Sequence, residues 1–139
     1  MNKKQKTALR LLRKLRREGP PFRLRDGSYG NCRRDGTVGS GCALTAIAVM
    51  LKPRTDFVAP YDNGVVNANS VRKICEDSIG DTDSIICAFD ARINEEPGDR
   101  FEQYRNTRSH AARLELILLN IAKYGKVFPK KKKGEKCLS

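Results

Sequence analysis

The chain has 139 residues, 39% of them hydrophobic and 32% charged, and its formal net charge is +12. That length and composition suit one domain with a single core and exclude a wholly disordered chain. No stretch approaches the ~18 uninterrupted apolar residues of a membrane span.

The charge is carried by the two ends. Residues 1–25 hold ten Lys and Arg against Glu18, a net of +9, and residues 123–139 hold seven Lys against Glu135, a net of +6. Residues 26–122 hold eleven basic and fourteen acidic side chains, a net of −3. Basic ends on a nearly neutral body describe an ordinary fold with two polyanion-binding arms. The basic start is not a secretory signal, because Arg10, Arg13, Lys14, Arg16 and Arg17 interrupt its leucines. Cys137 lies third from the end, which rules out a prenylation box. Five cysteines without an export signal read as reduced thiols and a cytoplasmic location. A zinc site from Cys32, Cys42, Cys75 and Cys87 lacks the short-spaced pairs that zinc ligands usually form.

Residues 3–18 read as a helix with one narrow apolar stripe, Ala8, Leu11, Leu12 and Leu15, and Gly19-Pro20-Pro21 ends it. Between residues 22 and 41, Asp26-Gly27, Tyr29-Gly30, Asp35-Gly36 and Gly39-Ser40-Gly41 permit either a small hairpin or a Gly-rich loop. No Gly-Lys-Ser/Thr follows, so this is not a phosphate-binding Walker loop. Residues 42–52 are apolar nearly all round and predict a buried helix started at Ser40 and stopped before Pro53. Residues 53–68 read as a long connection. Asn69 or Ser70 caps a helix presenting Val71, Ile74, Cys75 and Ile79.

Residues 81–94 place Ile85, Ala88, Phe89 and Ile93 on one helical face, with Asp81, Thr82 or Asp83 as cap. A short buried strand is the alternative. Phe101–Tyr104 adds a helical turn. Thr107 or Ser109 caps a last helix with a seam of Ala112, Leu116, Leu119 and Ala122, beside Ile117 and Ile121. It ends at Tyr124-Gly125. The expected fold is therefore mainly α: a compact domain of four to five helices over residues 1–125, with a basic helix at 1–19 and the Gly-rich segment at 20–41. Residues 126–139 are expected to form a disordered Lys-rich tail.

Three kinds of chemistry are open to these residues. Cys42 at a helix start has the setting that favours a thiolate nucleophile, with His110 as base and Asp90 or Asn94 to orient it. A Cys followed by small apolar residues also reads as a core side chain, and that reading is the commoner one. The acids Asp77, Asp81, Asp83, Asp90, Glu95, Glu96, Asp99 and Glu102 match no ion-binding loop, so no metal or cofactor is expected. They are also candidates to hold the basic ends when no polyanion is present. The basic ends carry the broadest signal, since Lys and Arg release counterions on meeting phosphates. On the N-terminal arm the candidates are Lys3, Lys4, Lys6, Arg10, Arg13 and Lys14, then Arg16, Arg17, Arg23 and Arg25. On the tail they are Lys126, Lys130, Lys131, Lys132, Lys133 and Lys136. Phe22, Tyr29 and Phe128 are candidates to stack on unpaired bases.

Gly41-Cys42-Ala43-Leu44-Thr45-Ala46-Ile47-Ala48, Ile86-Cys87-Ala88-Phe89-Asp90 and the Thr-capped segment from Thr107 to Ala122 follow one another in an order that resembles a family. It is a group of small, mostly helical, uncharacterised proteins of bacteria and their phages, the DUF6197-like group. The resemblance implies a compact helical domain and a phage origin, and it supplies no activity. The expected function is that of a non-enzymatic, phage-encoded accessory protein, binding nucleic acid or a nucleoprotein complex through its basic ends. The alternatives are an inhibitor or adaptor that grips an acidic host protein, as in host takeover or counter-defence, and a Cys42-centred hydrolase.

Overall fold

The computed structural model describes residues 1–91 and 100–129. Among them lie six helices and a five-stranded mixed sheet. The expectation of a mainly α domain with four to five helices is thus overturned, and the fold is α/β.

Helix α1 (Lys3–Glu18) begins with a capping box in which Asn2 Oδ1 accepts from Gln5 N at 2.8 Å and Gln5 Oε1 accepts from Asn2 N at 3.0 Å. It buries Ala8, Leu11, Leu12 and Leu15, the stripe that the leucine spacing predicts. Its partner is α6 (His110–Tyr124), started by the Ser109 cap on Ala112 N and ended at Gly125. Gln5 Nε2 donates to Ala122 O at 3.3 Å, so the start of α1 sits at the end of α6 and the two run antiparallel. The face that α6 buries is Leu114, Ile117, Leu118 and Ile121. Of the expected seam Ala122 is buried, with Ile117 and Ile121 beside it, whereas Ala112 and Leu116 are half-buried and Leu119 is exposed.

Helix α2 (Ala43–Leu51) is the centre of the core, with every residue but Val49 and Leu51 buried. Its N-cap is Cys42 rather than Ser40, because residues 38–41 are a strand. Helices α3 (Ala68–Ser78) and α4 (Thr82–Asp90) pack against α2. Asn67 caps α3 through Asn69 N and Ser70 N, ahead of the expected Asn69 or Ser70. Asp81 stands at the start of α4 but makes no capping bond there. Ile93 lies outside the described residues. A single turn of helix, α5 (Glu102–Arg105), precedes α6.

The sheet explains the error in fold class. Its strands, β1 (Arg23–Leu24), β2 (Asn31–Cys32), β3 (Val38–Gly41), β4 (Val58–Ala59) and β5 (Asp62–Val66), are two to five residues long. Three have only two residues, and β3 and β5 do not alternate buried and exposed positions. Spatial order is β1-β3-β2-β5-β4. The Gly-rich segment does contain the hairpin, β2 against β3 around Asp35-Gly36. The supposed long connection at 53–68 is a second hairpin, β4 against β5, joined to the first through Asn31 opposite Val65. Gly30 makes this junction possible: its φ is +116°, and a Cβ there would run into the Ser40 carbonyl oxygen.

The C-terminal segment is ordered further than expected. Val127 is buried, and its carbonyl accepts from Tyr104 Oη in a short hydrogen bond and from Asn120 Nδ2 at 3.5 Å. Asn120 Nδ2 also donates to Gln103 Oε1 at 3.0 Å, so this buried amide is satisfied. Phe128 stands edge-on to Phe101 and Tyr104. Residues 126–129 therefore belong to the packed domain and not to a disordered tail. Residues 130–139, with Lys130, Lys131, Lys132, Lys133 and Lys136, lie outside the described residues.

Candidate functional site

The apolar stripe of α1 fixes which side chains face outward. Lys6, Arg10, Arg13 and Arg17 follow at four- and three-residue steps and fall on one line opposite the buried leucines. All four are exposed. With Leu9 and the half-buried Lys14 they fringe a shallow trough of about 550 Å³. At ~1.5 Å per residue the line is about 16 Å long.

Of these cations only Arg17 has an acidic partner among the described residues, Glu18 on the same helix, at 3.2 Å and exposed. The other ion pair among the described residues, Arg72–Asp83 at 2.7 Å, lies on another face. Among the described residues no acid of the body pairs with the basic helix. Lys3, Lys4 and Lys6 also stand in the first turn of α1, which contains no acid, where the helix dipole disfavours positive charge. The capping box offsets part of that cost.

Gly125 lies beside Gln5, so exposed Lys126 follows next to the Lys3–Lys6 turn. Lys4 is packed along Gly80, where its stem fills the space a side chain would need. Arg16, Arg23 and Arg25 are exposed as well, Arg16 off the main line and Arg23 and Arg25 at the edge strand β1.

Sequence reasoning missed a second group, Arg33, Arg34 and Arg54. They border an open groove of about 700 Å³ whose wall includes Pro21 and Phe22, four and five residues beyond Arg17. Arg33 and Arg34 begin the β2–β3 turn, and Arg54 follows α2. The β4–β5 hairpin brings them together, since Val58 packs near Gly36 at the tip of the other hairpin. Twenty residues separate Arg34 from Arg54, and nothing local signals the contact.

The three aromatics expected to stack on bases are used elsewhere. Phe22 is buried, Tyr29 Oη accepts from Arg72 Nη1 at 3.0 Å, and Phe128 lies on Phe101 and Tyr104.

The nucleophile constellation is not assembled. The Cys42 thiol is buried beside Thr45 Oγ1 at 3.6 Å. The His110 ring lies on Phe89, centroids 5.2 Å apart, and Asp90 Oδ1 accepts from Gly27 N at 3.1 Å, pinning the Asp26-Gly27 turn. Among the described residues no hydrogen bond joins Cys42, His110 and Asp90. Asn94 lies outside the described residues. Nearby Cys75 is buried, its Sγ 3.3 Å from Leu44 O, and burial holds its thiol well above its ordinary pKa, away from the thiolate a nucleophile needs.

Among the described residues no three His, Cys, Asp or Glu side chains converge as metal ligands would. Of the acidic set, Asp83 is paired with Arg72, while Glu95, Glu96 and Asp99 lie outside the described residues. Among the described residues no helix is long and apolar enough to cross a membrane. Comparison with protein-family models, with curated proteins and with solved structures finds no match to this chain.

Proposed function

We propose that the protein is a non-enzymatic, cytoplasmic accessory protein that binds nucleic acid, alone or within a nucleoprotein complex, mainly through phosphate contacts. The observation that carries this reading is the line Lys6-Arg10-Arg13-Arg17. It is exposed, nearly free of carboxylate partners, and set on a helix whose opposite face anchors it in the core. Rigid placement lowers the ordering cost of each contact, unlike cations on a loose arm. Lys126 beside the same helix end extends the surface towards the lysines that follow. The resemblance of residues 41–48, 86–90 and 107–122 to small proteins of bacteria and phages is the ground for a phage-encoded role.

The test is binding of the whole chain to duplex and single-stranded DNA and RNA, titrated against salt. A polyanion-binding surface gives affinity that falls steeply and linearly in log–log form with salt. No binding at the lowest salt overturns the proposal. Deleting residues 1–19 is not a fair control, because it also removes Ala8, Leu11, Leu12 and Leu15 from the core.

A further inference from the structure

The groove between the two hairpins and the start of the α2–β4 connection differs in chemistry from the α1 line. Its accessible apolar surface comes from the exposed rings of Pro21 and Pro53 and the half-buried Val49 and Val58. Around this floor stand the exposed guanidiniums of Arg33, Arg34 and Arg54. Among the described residues none of the three is in an ion pair, and the Arg33 guanidinium makes a long 3.4 Å bond to Thr37 Oγ1.

Two carboxylates share the rim, Asp35 close enough to Arg33 to feel its charge, and among the described residues neither forms an ion pair with the arginines. Asp35 Oδ1 accepts from Thr37 N at 3.0 Å and from Thr37 Oγ1 at 2.6 Å, and Asp56 Oδ1 accepts from Val58 N at 3.0 Å. Each carboxylate spends one oxygen on its own turn and leaves Oδ2 facing solvent or ligand. The Thr37 bonds also hold Asp35 below its ordinary pKa, so that oxygen stays an acceptor.

Together these groups fit one kind of ligand. Guanidiniums alone would suit any phosphate or sulfate, but carboxylate acceptors on the same rim repel a bare anion. An apolar floor adds nothing for an ion. A ligand with a flat apolar face, hydrogen-bond donors on its edge and an attached phosphate uses all three features. We infer that this groove binds one nucleotide, with the base against the Pro21–Pro53–Val58 floor and its phosphate on Arg34 and Arg54. One of Asp35 and Asp56 accepts from a donor on the edge of the base, such as N3–H of thymine. The nucleotide comes either free or as one unit of a single strand. Phe22 follows Arg17 by five residues, at most about 18 Å of chain, so a strand lying on α1 reaches the groove within a few nucleotides.

The inference rests on the nucleic-acid reading and sharpens it to unpaired bases, because a duplex keeps its bases stacked away from such a floor. The test compares fluorescence anisotropy of the whole chain with a labelled 12-nucleotide thymidine strand and with an abasic strand of equal length and charge. The thymidine strand binds at least about fivefold tighter, the low end of what one base contributes. The exposed double substitution D35A/D56A, which removes the acceptors for the base and keeps Arg34 and Arg54 for the phosphate, erases that difference. Competition by thymidine monophosphate at a saturable concentration assigns the groove to free nucleotide as well. Equal binding of thymidine and abasic strands, with no saturable effect of the monophosphate, overturns the groove and leaves the phosphate-binding function standing. A change by the same factor in both strands in D35A/D56A likewise overturns it. Absence of binding to either strand overturns both.

Discussion

Replacing Arg10 and Arg13 with Gln removes the two central cations of the α1 line while keeping helix propensity nearly constant. Neither residue is in an ion pair and both are exposed, so no buried partner is orphaned. If both contact phosphates, the slope of log affinity against log salt falls by about 1.8 on duplex DNA and about 1.4 on a single strand. The same substitution changes stability in the opposite direction. Arg10 faces Lys6, Arg13 and Lys14, and Arg13 faces Arg16 and Arg17, all at three- or four-residue spacing. Each of these five like-charge pairs costs about 0.2–0.5 kcal/mol at low salt, so R10Q/R13Q is more stable by about 1–2.5 kcal/mol. The assays are anisotropy at four or more salt concentrations and urea denaturation at low salt. Weaker binding with higher stability marks a surface kept for a ligand at the expense of the fold. An unchanged salt slope refutes the argument, whatever happens to affinity at one salt concentration.

Tyr104→Phe leaves the Val127 carbonyl with only the 3.5 Å contact to Asn120, and costs about 1–3 kcal/mol by urea denaturation. It also exposes the 126–129 segment to proteases. An unchanged midpoint contradicts the buried network. Gly30→Ala drives a Cβ into the Ser40 carbonyl at a φ of +116° and costs more than about 3 kcal/mol, so the protein is recovered mainly unfolded. Gly27→Ala is the control, because Gly27 has a φ of +78° with open space around it, and costs about 1 kcal/mol. Stability also depends on alkaline pH. Burial raises Cys75 above its ordinary 9.0 and Tyr104 above its ordinary 10.0. Below pH 9 folded and unfolded chains both keep these protons and the stability is at full strength. Above it, the unfolded chain releases protons that the folded one retains, and stability falls as pH rises. A flat urea midpoint from pH 8 to pH 10.5 contradicts the burial of both groups.

The helices were legible because their signals are local. α1 occupies the residues its leucine spacing and Gly-Pro-Pro stop predict, and Val71, Ile74, Cys75 and Ile79 are buried as the α3 period implies. Ser109 and Gly125 bracket α6 as expected, though of the predicted seam only Ala122 is buried. With nearly every position of α6 apolar or ambivalent between residues 111 and 122, the period does not single out one face. The cap of α2 lies two residues later because strand β3 takes Ser40, and that of α3 lies earlier because Asn67 caps the backbone of Asn69 and Ser70 themselves.

Composition and spacing by themselves determined where the helices lie, which face of α1 is wet, and that the charge sits at the ends. Each follows from interactions within a few residues or from simple counting. The tertiary structure alone decided that short strands 30 or more positions apart pair into a sheet, as Asn31 does with Val65. It alone brought Lys126 to the start of α1, drew 126–129 into the core, and gathered Arg33, Arg34 and Arg54 around one groove. Those placements depend on which surfaces can be buried together, and no local period along the chain records that.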